Sequence, residues 1–240
     1  MKKFKPFIPF IIVFLVSDII KIVSLHIYIE WLSIFLNLFV PSLLIIWYIK
    51  KTGYNEFLLN KNNFSFLIVA LVFTLSFDFI WDPILNIRNV FNDSYEFHYK
   101  FNNTYWKPEI TSALLIYAPI VESILIIALL QKPLEKYVPL YVALVISAII
   151  FSAIHRRDFS DSLFCFFTGM IYGFSYLKTR NITIPILCHL LVNLIYNCQF
   201  LPNKLDTAGI LLLCTFFICF IASFIYLLRY NKKPSSSWKE

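Results

Sequence analysis

Apolar residues run along this chain in blocks of about twenty, separated by short polar clusters. Eight blocks predict helices over about 7–28, 31–49, 64–85, 110–131, 137–155, 161–178, 182–200 and 208–229. A run of about 20 apolar residues is long enough to cross a bilayer as a helix. The polar punctuation falls at Lys50-Lys51-Thr52-Gly53, Lys61-Asn62-Asn63, Arg156-Arg157-Asp158 and Lys204-Leu205-Asp206. The longest interruption, Asn86 to Pro108, is rich in Asn, Tyr and Asp and is expected to be an extramembrane loop. Pro41 and Pro185 fall inside predicted spans, where neighbouring helices can satisfy the freed backbone groups. The expected fold class is all-α: a polytopic transmembrane helix bundle of about eight spans. It forms a single membrane domain over 1–240, with a polar tail over 230–240 and no internal repeat.

Composition sharpens that picture. The 240 residues are 59% hydrophobic, 19% aromatic and 15% charged, whereas a soluble domain averages roughly 45–50% apolar and about 25% charged. The net charge of +7 raises the question of nucleic acid. The basic residues, however, cluster at the ends of apolar runs (Lys2, Lys3, Lys5; Lys50, Lys51; Arg156, Arg157; Lys232, Lys233) and make no basic stripe. The expected partner is therefore the lipid bilayer, and no nucleic acid. With both termini on the cytosolic side, most basic residues fall inside, although Arg156 and Arg157 fall on the other side. The basic start followed by an apolar stretch resembles a signal peptide. No small-x-small cleavage site follows, so the segment is read as the first membrane helix. Cys165, Cys188, Cys198, Cys214 and Cys219 lie in or beside apolar runs without a C-x-x-C pair, and read as small buried hydrophobes.

Against that background, polar residues at membrane depth need a reason, since each charge near a helix centre costs roughly 2.5–3.5 kcal/mol. Asp18 and Lys21 are three apart and can neutralise each other. Asp78 and Asp82 share a sign and a helix face near the end of the third span, beside Trp81 and Pro83. Interfacial exposure is the plain expectation for them, and a cation site the sharper one. Glu122 sits mid-span in Ala118-Pro119-Ile120-Val121-Glu122-Ser123-Ile124-Leu125, with no basic residue within a turn of its own helix. A buried carboxylate in that position either takes a proton or finds a partner on another helix. His155 ends the fifth span. His189 and Asn193 are four apart on the seventh and so share a face.

Taken together, Glu122, His155, His189 and Asn193 make a workable hydrolytic set. Glu122 with His155 could take a proton from water, and His189 with Asn193 could donate hydrogen bonds to a tetrahedral oxyanion. Two His and a Glu could also bind zinc with an open position, although the chain lacks the H-E-x-x-H spacing. No cofactor is required on the favoured mechanism, and Zn is the competing chemistry.

The segment from about Thr111 to Asn197 resembles the CPBP intramembrane peptidases, a family that includes type II CAAX prenyl endopeptidases and bacteriocin self-immunity proteins. The first family motif, A-P-x-x-E-E-x-x-x-R-G, aligns with Ala118 to Ala128. F-x-x-x-H is intact as Phe151 to His155, and H-x-x-x-N as His189 to Asn193. A family-like Phe167-Thr168-Gly169-Met170-Ile171-Tyr172-Gly173 precedes the last pair. The resemblance implies a CPBP-like catalytic core over 111–197. It also implies water activation by Glu122 and His155, an oxyanion site at His189 and Asn193, and a hydrophobic or membrane-anchored peptide substrate at the cell membrane. The chain departs from the pattern at Ser123, where the family has a second Glu, and at Ile127, where it has Arg. Those positions are four apart, the spacing of a helical ion pair. Losing both avoids leaving one charge unpaired. The departure keeps open a catalytically impaired member that acts as a bacteriocin-immunity or partner-binding membrane protein. A small transporter using Asp78, Asp82 and Glu122 would need paired broken helices, which the pattern lacks.

Overall fold

A computed structural model describes residues 6–26, 30–53, 56–59, 61–85, 111–155, 159–198 and 207–230. The expected loop over 86–108, Arg156 and Arg157, the 204–206 cluster and the tail beyond Tyr230 lie outside the described residues, as do the side chains of Asp18, Lys21, Asp82 and Cys198. The described residues form eight helices and contain no strand. They are α1 (Ile8–His26), α2 (Glu30–Thr52), α3 (Lys61–Leu85), α4 (113–134), α5 (Leu140–His155), α6 (Phe159–Thr179), α7 (Thr183–Cys198) and α8 (Thr207–Arg229). Each predicted block meets one helix, with ends displaced by three residues or fewer.

Span number is narrower than helix number. Among the described residues, four stretches are long and apolar enough to cross a membrane: Leu32–Thr52, Asn63–Trp81, Leu115–Leu134 and Gly209–Arg229. α5 and α7 are apolar but have only 16 residues each. At 1.5 Å per residue that is about 24 Å, short of a hydrocarbon core of about 30 Å.

α4 is the axis of the bundle. Every residue from Val121 to Gln131 is buried, as expected of a helix that is apolar all round. The upper part of α4 meets α2 and α7, and the lower part meets α1 and α5. α5 packs along α6, α8 lies along α3, and α7 runs against α3 and α6. The outward faces of α1, α2 and α8 expose Ile11, Leu15, Leu43, Ile46, Leu211 and Ile218. Such a coat suits lipid and would be an aggregation surface in water.

The backbone of α4 departs from α geometry at two places, Ala113–Tyr117 and Ile124–Gln131, both wound as π-helix. The Ala118 N–H donates to the Ala113 carbonyl, and the Lys132 N–H to the Ile127 carbonyl, each five residues back. Both donors immediately precede a proline, Pro119 and Pro133. A proline ring supplies no N–H and presses on the carbonyl four residues behind it. The wider π turn gives that carbonyl room. Between the two π stretches lies one short α segment, Ala118–Ser123, and it carries Glu122.

Two glycines on α6 set the distance to its neighbours. A Cβ at Gly173 would stand 2.4 Å from Leu144 Cδ1 and 2.5 Å from Gln131 Oε1, and one at Gly169 would stand 3.0 Å from Phe151 Cδ1. Only a glycine face lets α6 press this closely on α4 and α5. At Gly173 the exposed backbone is also used: Gln131 Nε2 donates to its carbonyl at 3.2 Å.

The far end of α4 is held by a polar clasp. Glu56, in the short α2–α3 connection, is 4% exposed. Its carboxylate accepts hydrogen bonds from the Tyr48 hydroxyl, from Lys132 Nζ and, at 3.3 Å, from the Tyr176 hydroxyl. The same connection is tied to the α6–α7 turn by backbone-directed bonds. Ile182 N donates to the Glu56 carbonyl at 2.8 Å, Asn181 Nδ2 to Leu58 O at 2.9 Å and Thr183 Oγ1 to Phe57 O at 3.0 Å. Arg180 takes a left-handed φ of +50° at the end of α6 and pairs with Glu135. Burial works against the Arg180 charge, but the Glu135 hydrogen bond and its charge hold that pKa above the ordinary value.

Candidate active site

The resources for chemistry converge where α4, α5 and α7 meet. Glu122, 7% exposed, turns its Oε2 toward two imidazoles. His155 Nε2 is 3.6 Å away and His189 Nε2 is 4.0 Å away. Three residues from three helices, 33 and 34 positions apart in sequence, thus face one small space. Both separations exceed a direct N–H···O bond of 2.7–3.2 Å.

The orientation of His155 is fixed by its own helix. Its Nδ1 lies 2.7 Å from the Phe151 carbonyl oxygen, one turn back. A carbonyl only accepts, so Nδ1 carries the proton and a neutral ring presents the Nε2 lone pair to Glu122. Two lone pairs would then face each other. A proton on either partner, or a water donating to both, turns that facing into attraction. Phe151 also packs edge-on against the His155 ring at 4.5 Å between centroids. Ser152 Oγ, on the same turn of α5, donates to the Ser162 carbonyl of α6 at 2.5 Å. The end of α5 is therefore anchored at the point where His155 leaves it.

His189 is held by aromatic neighbours. Tyr172 of α6 stacks on it with ring centroids 5.0 Å apart and planes 25° apart, and Phe151 meets it edge-on at 5.9 Å. Phe151 thus touches both histidines, which gives the Phe of F-x-x-x-H a physical task. Asn193 lies one turn beyond His189 on α7 and is partly exposed.

The two departures from the family motif have different outcomes. Ile127 is buried and joins the central apolar cluster, so an aliphatic side chain fills that place. The Ser123 hydroxyl is buried with no hydrogen-bond partner among the described residues. A buried hydroxyl without a partner costs about 1–3 kcal/mol.

Asp78 corrects a sequence expectation. It is 2% exposed, not interfacial, because α7 and α8 cover the end of α3 that hydropathy alone leaves bare. Tyr172 was missed as a site residue. In an aromatic-rich helix a Tyr carries no sequence signal that separates it from packing. Among the cysteines, Cys165 and Cys188 are buried free thiols, Cys219 is partly exposed and Cys214 faces outward.

For zinc, three donors at about 2.0–2.1 Å around a tetrahedral ion would stand about 3.3–3.4 Å from one another. The Glu122–His155 and Glu122–His189 separations are wider than that. No group of three His, Cys, Asp or Glu among the described residues has the arrangement to hold a metal ion.

A cavity of about 360 Å³, lined by none of Glu122, His155, His189 and Asn193, opens between α3, α6 and α8. Its walls are apolar and largely aromatic, with Phe73, Phe77, Trp81, Phe167, Phe220 and Phe224 among them.

An acid and two imidazoles, presented from α4, α5 and α7, thus face one another inside an apolar helical bundle. Residues 106–195 match the sequence model of a protein family, Rce1-like, described as type II CAAX prenyl endopeptidase Rce1-like. That segment holds Glu122, His155, His189 and Asn193, and its match supports a place for it in the CPBP family of membrane-embedded proteases. No curated protein and no solved structure matches the chain.

Proposed function

We propose that the chain is an intramembrane endopeptidase of the cell membrane that uses Glu122 and His155 to activate water against a peptide bond. The observation that carries this is the placement of the Glu122 carboxylate 3.6 Å and 4.0 Å from two imidazoles in a buried space. Water attacks the scissile carbonyl carbon and gives a proton to the Glu122–His155 pair. The negative charge that develops on the carbonyl oxygen is met by N–H groups of His189 and Asn193. The C–N bond then breaks as the same pair returns the proton to the leaving amine. No metal is needed for these steps. The apolar helices that enclose the site support a substrate that brings a hydrophobic or lipid-anchored segment.

A second reading has its own observation. Ser123 leaves a buried hydroxyl unmatched and Ile127 is sealed in the core, so the ion pair the family places there is gone. That favours a member that binds a membrane partner at the same residues without turning it over.

Glu122→Gln separates the two, because it keeps the shape and removes the base. In liposomes holding the full chain and a farnesylated peptide, the peptidase reading expects cleavage to be lost and peptide binding kept. Cleavage at the wild-type rate in Glu122→Gln would sink it. Wild-type protein that binds but never cleaves would favour the binding reading. Cleavage is also expected to survive a chelator titration.

A further inference from the structure

The α6 side of the site holds a polar group that the four-residue set leaves unused. Tyr172 is 3% exposed, and its hydroxyl has no hydrogen-bond partner among the described residues. Its ring is fixed on both sides by site residues: it stacks on His189 at 5.0 Å and meets Phe151 edge-on at 6.1 Å. The hydroxyl lies within electrostatic reach of the Asp78 and Glu122 side chains.

Packing does not account for that oxygen. A Phe would give the same stacked ring without a buried hydroxyl to desolvate. Nor is the position loose, since Gly169 and Gly173 flank Tyr172 and draw α6 onto α4 and α5. A hydroxyl held rigidly without an internal acceptor is prepared for an acceptor that arrives. A phenol hydroxyl carries one O–H, so it can serve as a donor.

We propose that the Tyr172 hydroxyl donates a hydrogen bond to the reacting carbonyl oxygen of the bound substrate, alongside His189. The ring of the same residue holds the His189 imidazole in plane. The proposal rests on the peptidase reading for the identity of that oxygen.

The test uses the full chain in liposomes, a farnesylated peptide, and the aldehyde of the same peptide, whose hydrate carries an oxygen where the oxyanion forms. In Tyr172→Phe the expected result is a kcat 10- to 100-fold lower, a KM within twofold of wild type and an unchanged unfolding temperature. Subtracting the Tyr172→Phe infrared spectrum isolates the Tyr172 C–O stretch, which is expected to shift when the aldehyde is added. A kcat within twofold of wild type, or a band the aldehyde does not move, overturns the proposal. If wild type binds the aldehyde without cleaving the peptide, the peptidase reading fails on its own. A shifted band would then still assign the hydroxyl to the bound ligand, and an unshifted one would remove both.

Discussion

Glu56 and Glu122 are buried to nearly the same degree, 4% and 7% exposed, yet their surroundings are opposite in kind. Glu56 receives Lys132, Tyr48 and Tyr176 at hydrogen-bonding distance, so both oxygens are engaged and a cation balances the charge. Glu122 faces two imidazoles at 3.6 Å and 4.0 Å, close enough to act on it and too far to bond directly. The first arrangement is closed and does mechanical work: it fastens the α2–α3 connection to α4 and α6. The second brings its groups close without closing a direct bond between the carboxylate and either imidazole. Two acids buried alike thus differ in the spacing of these partners, and on the proposed function that spacing is what separates a structural acid from a chemical one.

That contrast can be broken most visibly at the site. Glu122→Ala or His155→Ala is expected to lower cleavage at least a thousandfold, with expression and unfolding temperature close to wild type; full activity in Glu122→Ala would remove the peptidase reading.

The next effect falls at the clasp and has the opposite profile. Glu56→Ala leaves the Lys132 ammonium without its carboxylate. Breaking a buried pair costs about 3–5 kcal/mol, and the lower end applies because the Lys132 side chain is 26% exposed. Chemical unfolding in detergent should show that loss, while the protein that remains folded keeps its cleavage rate. A loss of rate with no loss of stability would put Glu56 in the chemistry instead.

The smallest change sits between the two. Gly173→Ala forces Leu144 and Gln131 to move and weakens the Gln131 bond to the Gly173 carbonyl. The expected cost is about 1–3 kcal/mol of stability, with a milder effect on rate through Tyr172. A neutral result would show that α6 has slack against α4.

The sequence made the helices and the four site residues legible for one reason: in long apolar runs, every polar side chain is an anomaly. Glu122, His155 and the His189–Asn193 pair stand out against such runs, and their membership of three helices follows from position. The same logic fails where the background is already polar or aromatic. Glu56 sits in a short polar connection where an acid is unremarkable, and its partners lie 8, 76 and 120 residues away. Tyr172 is one aromatic among many on α6. Asp78 was visible as an anomaly, but its burial depends on which helices cover α3, and hydropathy does not carry that. The π turns of α4 were equally hidden, although Pro119 and Pro133 were in view; a proline marks where the ladder must adjust without stating which way.

The enclosure of α4 has a consequence for how this chain can change over time. α4 and α8 are written in nearly the same apolar alphabet, yet 72% of the membrane-length window of α4 is buried inside the protein and only 11% of that of α8. On α8 an exchange among Leu, Ile and Phe swaps one lipid-soluble surface for another and should pass almost silently. On α4 the same exchange adds or removes volume in a close-packed interior, within a turn or two of Glu122. Two segments that both read as apolar and membrane-length therefore differ in their freedom to drift, and the Glu122 carboxylate lies on the one that can drift least.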